Sequence, residues 1–113
     1  MAKDDYYVIA YRILAYLYAC LKEGTHPDMS YIKADSSAIS INQNYWEYII
    51  RHLCDDGYLE GVTLFRVVGQ ETPGIKMLNP MITPKGIEFL QNNSAMAKAR
   101  DFLKTVKETI PGL

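Results

Sequence analysis

An α+β, mostly helical fold follows from three observations on this sequence of 113 residues. Apolar side chains recur at helical spacing along most of its length. One stretch, 58–82, instead alternates between apolar and polar residues and is divided by a glycine- and proline-bearing turn. That stretch is bracketed by a helix-stop signal at Gly57 and a helix-start pair at Thr83 and Pro84. With 49% hydrophobic and 22% charged residues the composition is that of a globular chain with a packed core. The length suits one domain over 1–113, with a core at about 6–92 and an added helix at about 94–110.

The first helix is expected to begin after Asp4 or Asp5 and to run to about Glu23, where Gly24, Thr25, His26 and Pro27 end it. Ala10, Ile13, Leu14, Leu17 and Leu21 share its buried face, while Tyr7, Tyr11 and Tyr18 form a second stripe. Asp28 to Lys33 is read as a short second helix with Met29 and Ile32 turned inward, before the turn-forming Asp35, Ser36 and Ser37. A third helix, about 42–56, follows Ile41 with Asn42 as its N-cap and Gly57 as its C-terminal glycine. Trp46, Ile49, Ile50 and Leu53 form its inward face and leave Gln43, Asn44, Glu47, Tyr48, Arg51, His52 and Asp55 outside.

Between Tyr58 and Val68 the period changes, with Val62, Leu64 and Arg66 on one face of a strand and Thr63, Phe65 and Val67 on the other. A turn over Gly69 to Gly74 leads to a returning strand, Ile75 to Ile82, in which Pro80 demands an edge or a bulge. Thr83 and Pro84 start a helix carrying Ile87, Phe89 and Leu90 that stops near Asn92 and Asn93. Ser94 caps a last helix with Ala99, Phe102, Leu103, Val106 and Ile110 at helical spacing, ended by Pro111 and Gly112.

This order is that of a winged helix-turn-helix with an N-terminal helix, a two-stranded wing and an added C-terminal helix. The segment Asn42 to Gly57, then Tyr58-Leu59-Glu60-Gly61, then Ile82-Thr83-Pro84-Lys85-Gly86 resembles bacterial winged-helix regulators, in which an acidic-Gly-Tyr turn precedes the wing and Thr-x-x-Gly starts the closing helix. From Tyr16 to the C-terminal Ile110-Pro111-Gly112-Leu113 the chain also resembles the YjcQ family of small bacterial and phage proteins. Asn44-Tyr45-Trp46, the run Ile82 to Leu90, and Asn92-Asn93-Ser94 carry that resemblance. It implies a winged-helix fold and transfers no activity to any position.

A recognition helix reads the major groove with side chains near its N-terminus, where Asn and Gln pair with adenine and Arg with guanine. Asn42, Gln43, Asn44, Tyr45, Tyr48 and Arg51 are the candidates on the third helix, and Arg66 and Lys76 on the wing are candidates for phosphate or the minor groove. Double-stranded DNA is therefore the expected partner of a regulator-like protein. Charge opposes this. The formal net charge is -1, and between Asp28 and Glu60 six acidic residues face only Lys33 and Arg51. Asp55, Asp56 and Glu60 lie at the far end of the helix and beyond it, away from where a groove would be entered, but Glu47 does not.

The alternative is a protein-interaction or dimerisation module on the same fold. Tyr7, Tyr11 and Tyr18, with Phe102 and Val106 of the last helix, would form its interface. Both readings hold together in a homodimer that presents two recognition helices to paired half-sites. The modest basic excess of Lys98, Arg100, Lys104 and Lys107 over Asp101 and Glu108 reads first as a solvated helix face.

Catalysis is not expected. His26 and His52 lie on different elements with no ligand at metal spacing, and no P-loop, G-x-G-x-x-G or G-x-S-x-G occurs. No cofactor, metal or small-molecule ligand is expected. Cys20 and Cys54 sit among apolar neighbours and read as core thiols of a reduced, cytoplasmic protein. The apolar run Tyr6 to Leu21 is interrupted by Arg12 and lacks a basic leader, so it is read as neither a signal peptide nor a membrane span.

Overall fold

Asp5 stands in extended backbone just before α1 (Tyr6–Glu23), the helix around which the other elements pack. The computed structural model describes residues 2–71 and 74–92. The Asp5 carboxylate accepts from the Ala2 N–H and not from a helix amide, so its capping is conformational. At the other end Gly24 is left-handed at φ 71°, and the N–H groups of Gly24 and Thr25 return to the carbonyls of Leu21 and Cys20. Val8, Ile9, Arg12, Ile13, Leu14, Tyr16 and Leu17 are all buried, which leaves α1 little free circumference. Leu21 departs from the expected face: it is 44% exposed, because the last turn of α1 reaches the rim of the packed elements.

The expected second helix is one 3-10 turn, Met29–Tyr31, capped by Asp28, whose carboxylate accepts from the Ser30 N–H. Ile32 is fully buried as expected, but Met29 is only half-buried. From Lys33 to Ile41 the chain continues in successive turns that bury Ala34, Ser36, Ala38 and Ile39. Asp, Ser and Ser at 35–37 favour such local bonds over a helix, and Ser36 Oγ donates to the Tyr31 carbonyl. Carbonyls buried outside a helix still need donors. The indole Nε1 of Trp46 donates to the Ile32 carbonyl at 2.8 Å, and Arg12 Nη1 donates to that of Ala38. Arg12, read from the sequence only as an interruption, is thus a buried donor whose pKa burial lowers.

Asn42 caps α2 (Gln43–Asp55), the expected third helix, by accepting the Tyr45 N–H at 2.8 Å. Trp46, Ile49, Ile50 and Leu53 are buried as their spacing predicts. Gly57, at φ 82°, turns the chain into β1 (Leu59–Phe65), which pairs antiparallel with β2 (Gly74–Ile82). The register Leu59↔Ile82 and Glu60↔Met81 shifts before Val62↔Met77. The bulge expected at Pro80 is therefore present, opposite Gly61. A Cβ at Gly61 would stand 1.8 Å from the Asn79 carbonyl oxygen, and its φ is 79°, so glycine is required there. Leu59, Pro80 and Ile82 anchor the hairpin base in the core, whereas Thr63, Leu64 and Phe65 are exposed. Alternation in the outer strand does not create a buried face, because the hairpin projects past the helices.

Thr83 precedes α3 (Pro84–Asn92) and ties it to the end of α2. Its hydroxyl accepts the Gly86 N–H at 3.0 Å and donates to the Gly57 carbonyl, while its own N–H donates to the Tyr58 carbonyl. Gly86 is buried, and a Cβ there would lie 2.5 Å from the Tyr58 carbonyl oxygen. Among the described residues, three helices and one two-stranded antiparallel sheet make a mostly helical α+β fold compatible with a winged helix, with α2 in the recognition position and β1–β2 as the wing. The expected helix at 94–110, with Phe102 and Val106, lies outside the described residues.

Two substitutions test this closure. Thr83→Val keeps the shape but removes a cap and the bond to the Gly57 carbonyl, and is expected to lower unfolding free energy by about 1–2 kcal/mol in urea titration. Gly86→Ala forces overlap with backbone and is expected to cost about 1–3 kcal/mol or more. Unchanged denaturation midpoints for both would refute the role given to this contact.

Candidate nucleic-acid interface

Helical spacing lines up Asn44, Tyr48 and Arg51 along α2, and the wing adds Arg66 just beyond β1 and Lys76 opposite Thr63. Asn42, Gln43, Asn44, Arg66 and Lys76 are all exposed, and Tyr48 is 47% exposed. Arg51 is half-buried, its Nε makes no hydrogen bond, and its guanidinium carbon lies 6.0 Å from the centre of the Tyr48 ring. Tyr48 also approaches His52, ring centre to ring centre at 4.3 Å. These neighbours hold the Tyr48 ring near the helix surface.

Three of the residues expected to face a groove are otherwise engaged. The Asn42 carbonyl oxygen is committed to the helix cap. Gln43 donates to Glu47 at 3.1 Å, an i, i+4 pair visible in the sequence, and this bond occupies the one acid that faces the candidate surface. The Tyr45 hydroxyl donates to the Asp4 carbonyl at 2.8 Å, which ties the ring to the start of α1. Burial first, and the charges of Asp4 and Asp5 next, raise its pKa. Sequence spacing gave no sign of this bond, since its ends are 41 residues apart.

Asp55, Asp56 and Glu60 are exposed at the far end of α2 and beyond it, distant along the helix from Asn44. The wing also exposes apolar side chains: Val68 is 100% exposed, Leu78 63%, Phe65 46% and Leu64 40%. Phe65 lies over Gly74 on the facing strand, where a Cβ would meet its ring at 2.5 Å.

The tyrosine stripe is partly covered within the chain. Tyr7 remains 49% exposed with its ring 6.3 Å from that of Phe89, Tyr11 and Tyr18 are half-buried, and Lys22 Nζ stands 4.5 Å from the Tyr18 ring centre. Cys20 and Cys54 are free thiols, the first buried and the second half-buried. Burial, then the charge of Asp55, raises the Cys54 pKa. Among the described residues no group of three His, Cys, Asp or Glu side chains is placed to hold a metal ion, and no helix is long and apolar enough to cross a membrane.

A family model described as YjcQ protein matches residues 11–109, a span that includes all of α2, the wing and α3. No curated protein and no solved structure matches the chain.

If Asn42 is a structural cap, Asn42→Ala lowers stability by about 1 kcal/mol in denaturant titration. An unchanged midpoint would release this side chain from the cap and return it to the candidate surface.

Proposed function

The chain belongs to the YjcQ family, and we propose that this member is a cytoplasmic, non-enzymatic protein that binds double-stranded DNA as a regulator-like factor. One observation carries the reading: an exposed polar stripe on α2 is followed directly by a projecting hairpin with exposed cations at Arg66 and Lys76. Asn44 and Arg51 are the base-reading side chains in this account, with Gln43 joining once its bond to Glu47 is exchanged for a base edge. Arg66 and Lys76 contact phosphate. Tyr48 packs against the sugar-phosphate wall beside Arg51. A two-fold pair of chains would set two α2 helices in successive major grooves, which makes a homodimer the functional unit of this reading.

With a formal net charge of -1, affinity rests on few phosphate contacts and on base contacts. Binding to random-sequence duplex is expected to be micromolar at low salt and to weaken as salt rises. The exposed apolar residues Leu64, Phe65, Val68 and Leu78 on the wing favour a second reading, in which the hairpin docks on a protein.

Fluorescence anisotropy with labelled duplex separates the two. Lys76→Ala is expected to weaken binding to all sequences alike and to lower the log–log salt slope by about one. Arg51→Ala is expected to cost about 1–3 kcal/mol on a selected site and to relax preference at one base pair. No binding at low salt, or equal affinity of wild type and both variants, would overturn the DNA reading and direct attention to the wing as a protein contact.

A further inference from the structure

On the side where α1, α2 and α3 meet, the wall of the chain is built almost wholly from aromatic rings. The Tyr58 ring centre lies 4.9 Å from that of Phe89, and Phe89 lies 6.3 Å from Tyr7. Tyr7 stands edge-on to Tyr6 at 5.2 Å, and Tyr6 edge-on to Tyr48 at 6.3 Å. Tyr48 in turn meets His52. These rings therefore form one unbroken sequence of contacts around an open groove of about 490 Å³, whose wall Tyr45, Leu53 and Asp56 complete.

The edge-on pairs set Tyr6 nearly perpendicular to Tyr7 and to Tyr48, so ring faces, which are electron-rich, alternate with edges along this sequence. Asp56 adds a full negative charge. The Tyr6 hydroxyl registers its proximity: its pKa is pushed up to about 12, first by burial and next by the charge of Asp56. Among the described residues Asp56 makes no ion pair. The chain's own cations show that these rings accept positive charge, since Lys85 Nζ lies 5.4 Å from the Tyr58 ring centre and Arg51 lies over Tyr48. Neither cation lines the groove.

A site of ring faces and one carboxylate suits a particular kind of ligand. A metal ion requires several oxygen donors, which the groove does not assemble. A neutral apolar molecule gains nothing from Asp56. An alkylated ammonium combines an apolar surface, weak hydration and a positive charge, and it needs no hydrogen-bond acceptor of fixed geometry. We propose that this groove binds an organic cation of the quaternary or methylated ammonium class, held by the rings of Tyr6, Tyr7 and Tyr48 with Asp56 as its counter-charge. This site is separate from the DNA-reading stripe except at Tyr48, and it does not depend on DNA being bound.

Choline and its neutral carbon isostere, in which carbon replaces the ammonium nitrogen, distinguish charge from shape. In amide NMR titrations of the full chain, choline is expected to shift Tyr6, Tyr7, Tyr48 and Asp56 saturably. The isostere is expected to bind at least about threefold more weakly. Asp56→Asn is expected to weaken choline about three- to tenfold while leaving the isostere unchanged. Tyr48→Leu, at an exposed position that keeps apolar bulk, tests the ring independently and is expected to lower choline affinity about threefold or more. Equal affinity for choline and the isostere would overturn the proposal. So would the absence of saturation, or unchanged choline affinity in both variants.

Discussion

Thr83 is the point on which the arrangement of this chain depends. Its hydroxyl faces two ways, accepting from Gly86 at the start of α3 and donating to Gly57 at the end of α2. Its amide bonds Tyr58, and the missing side chain at Gly86 lets α3 come against that same carbonyl. One residue thereby satisfies an orphan N–H at the start of α3, bonds the glycine that follows α2 and closes the base of the hairpin between them. The Gly-Tyr turn and the Thr-x-x-Gly helix start, noted separately in the sequence, are two halves of a single contact. Because the contact fixes α2 relative to the hairpin, it also fixes the candidate interface.

The opposite side of the fold is held differently. Between Asp28 and Ile41 the backbone enters the core without forming a long helix, and buried carbonyls in such a segment would be costly if left alone. Trp46 from α2 and Arg12 from α1 supply donors to Ile32 and Ala38. The Tyr16 hydroxyl accepts the Asp28 N–H at 2.8 Å. Side chains of two regular helices thus do for this segment what its own backbone does not. The position of Asn42, and with it the start of α2, follows from where these bonds leave the chain.

Much of the fold was legible because its signals are local. Gly24 and Gly57 end helices in left-handed geometry, Asn42 and Thr83 cap, and Trp46, Ile49, Ile50 and Leu53 mark a buried face by spacing alone. Pro80 announced the bulge, although the glycine opposite it, Gly61, was not singled out. Contacts between distant segments were not legible. Periodicity cannot show that Tyr45 reaches Asp4, that Arg12 is a buried donor, or that Tyr6, Tyr58 and Phe89 come together. The short second helix is a single 3-10 turn, in which Asp28 holds both the N–H and the hydroxyl of Ser30 and the backbone bonds run from Tyr31 to Asp28 and from Ile32 to Met29. On α2 the residues expected outside the core are exposed or half-buried, and the cap and the i, i+4 pair engage two of the candidates, Asn42 and Gln43.

The central claim is that α2 and the wing together form a DNA-reading surface. It is tested most directly by mapping amide NMR shifts of the full chain as duplex DNA is added. The account predicts that perturbations concentrate at Gln43, Asn44, Tyr48 and Arg51 and at Arg66 and Lys76, while the Gly24–Pro27 end of α1 stays unmoved. Perturbation confined to other surfaces, or a spectrum that DNA leaves unchanged at low salt, would contradict it.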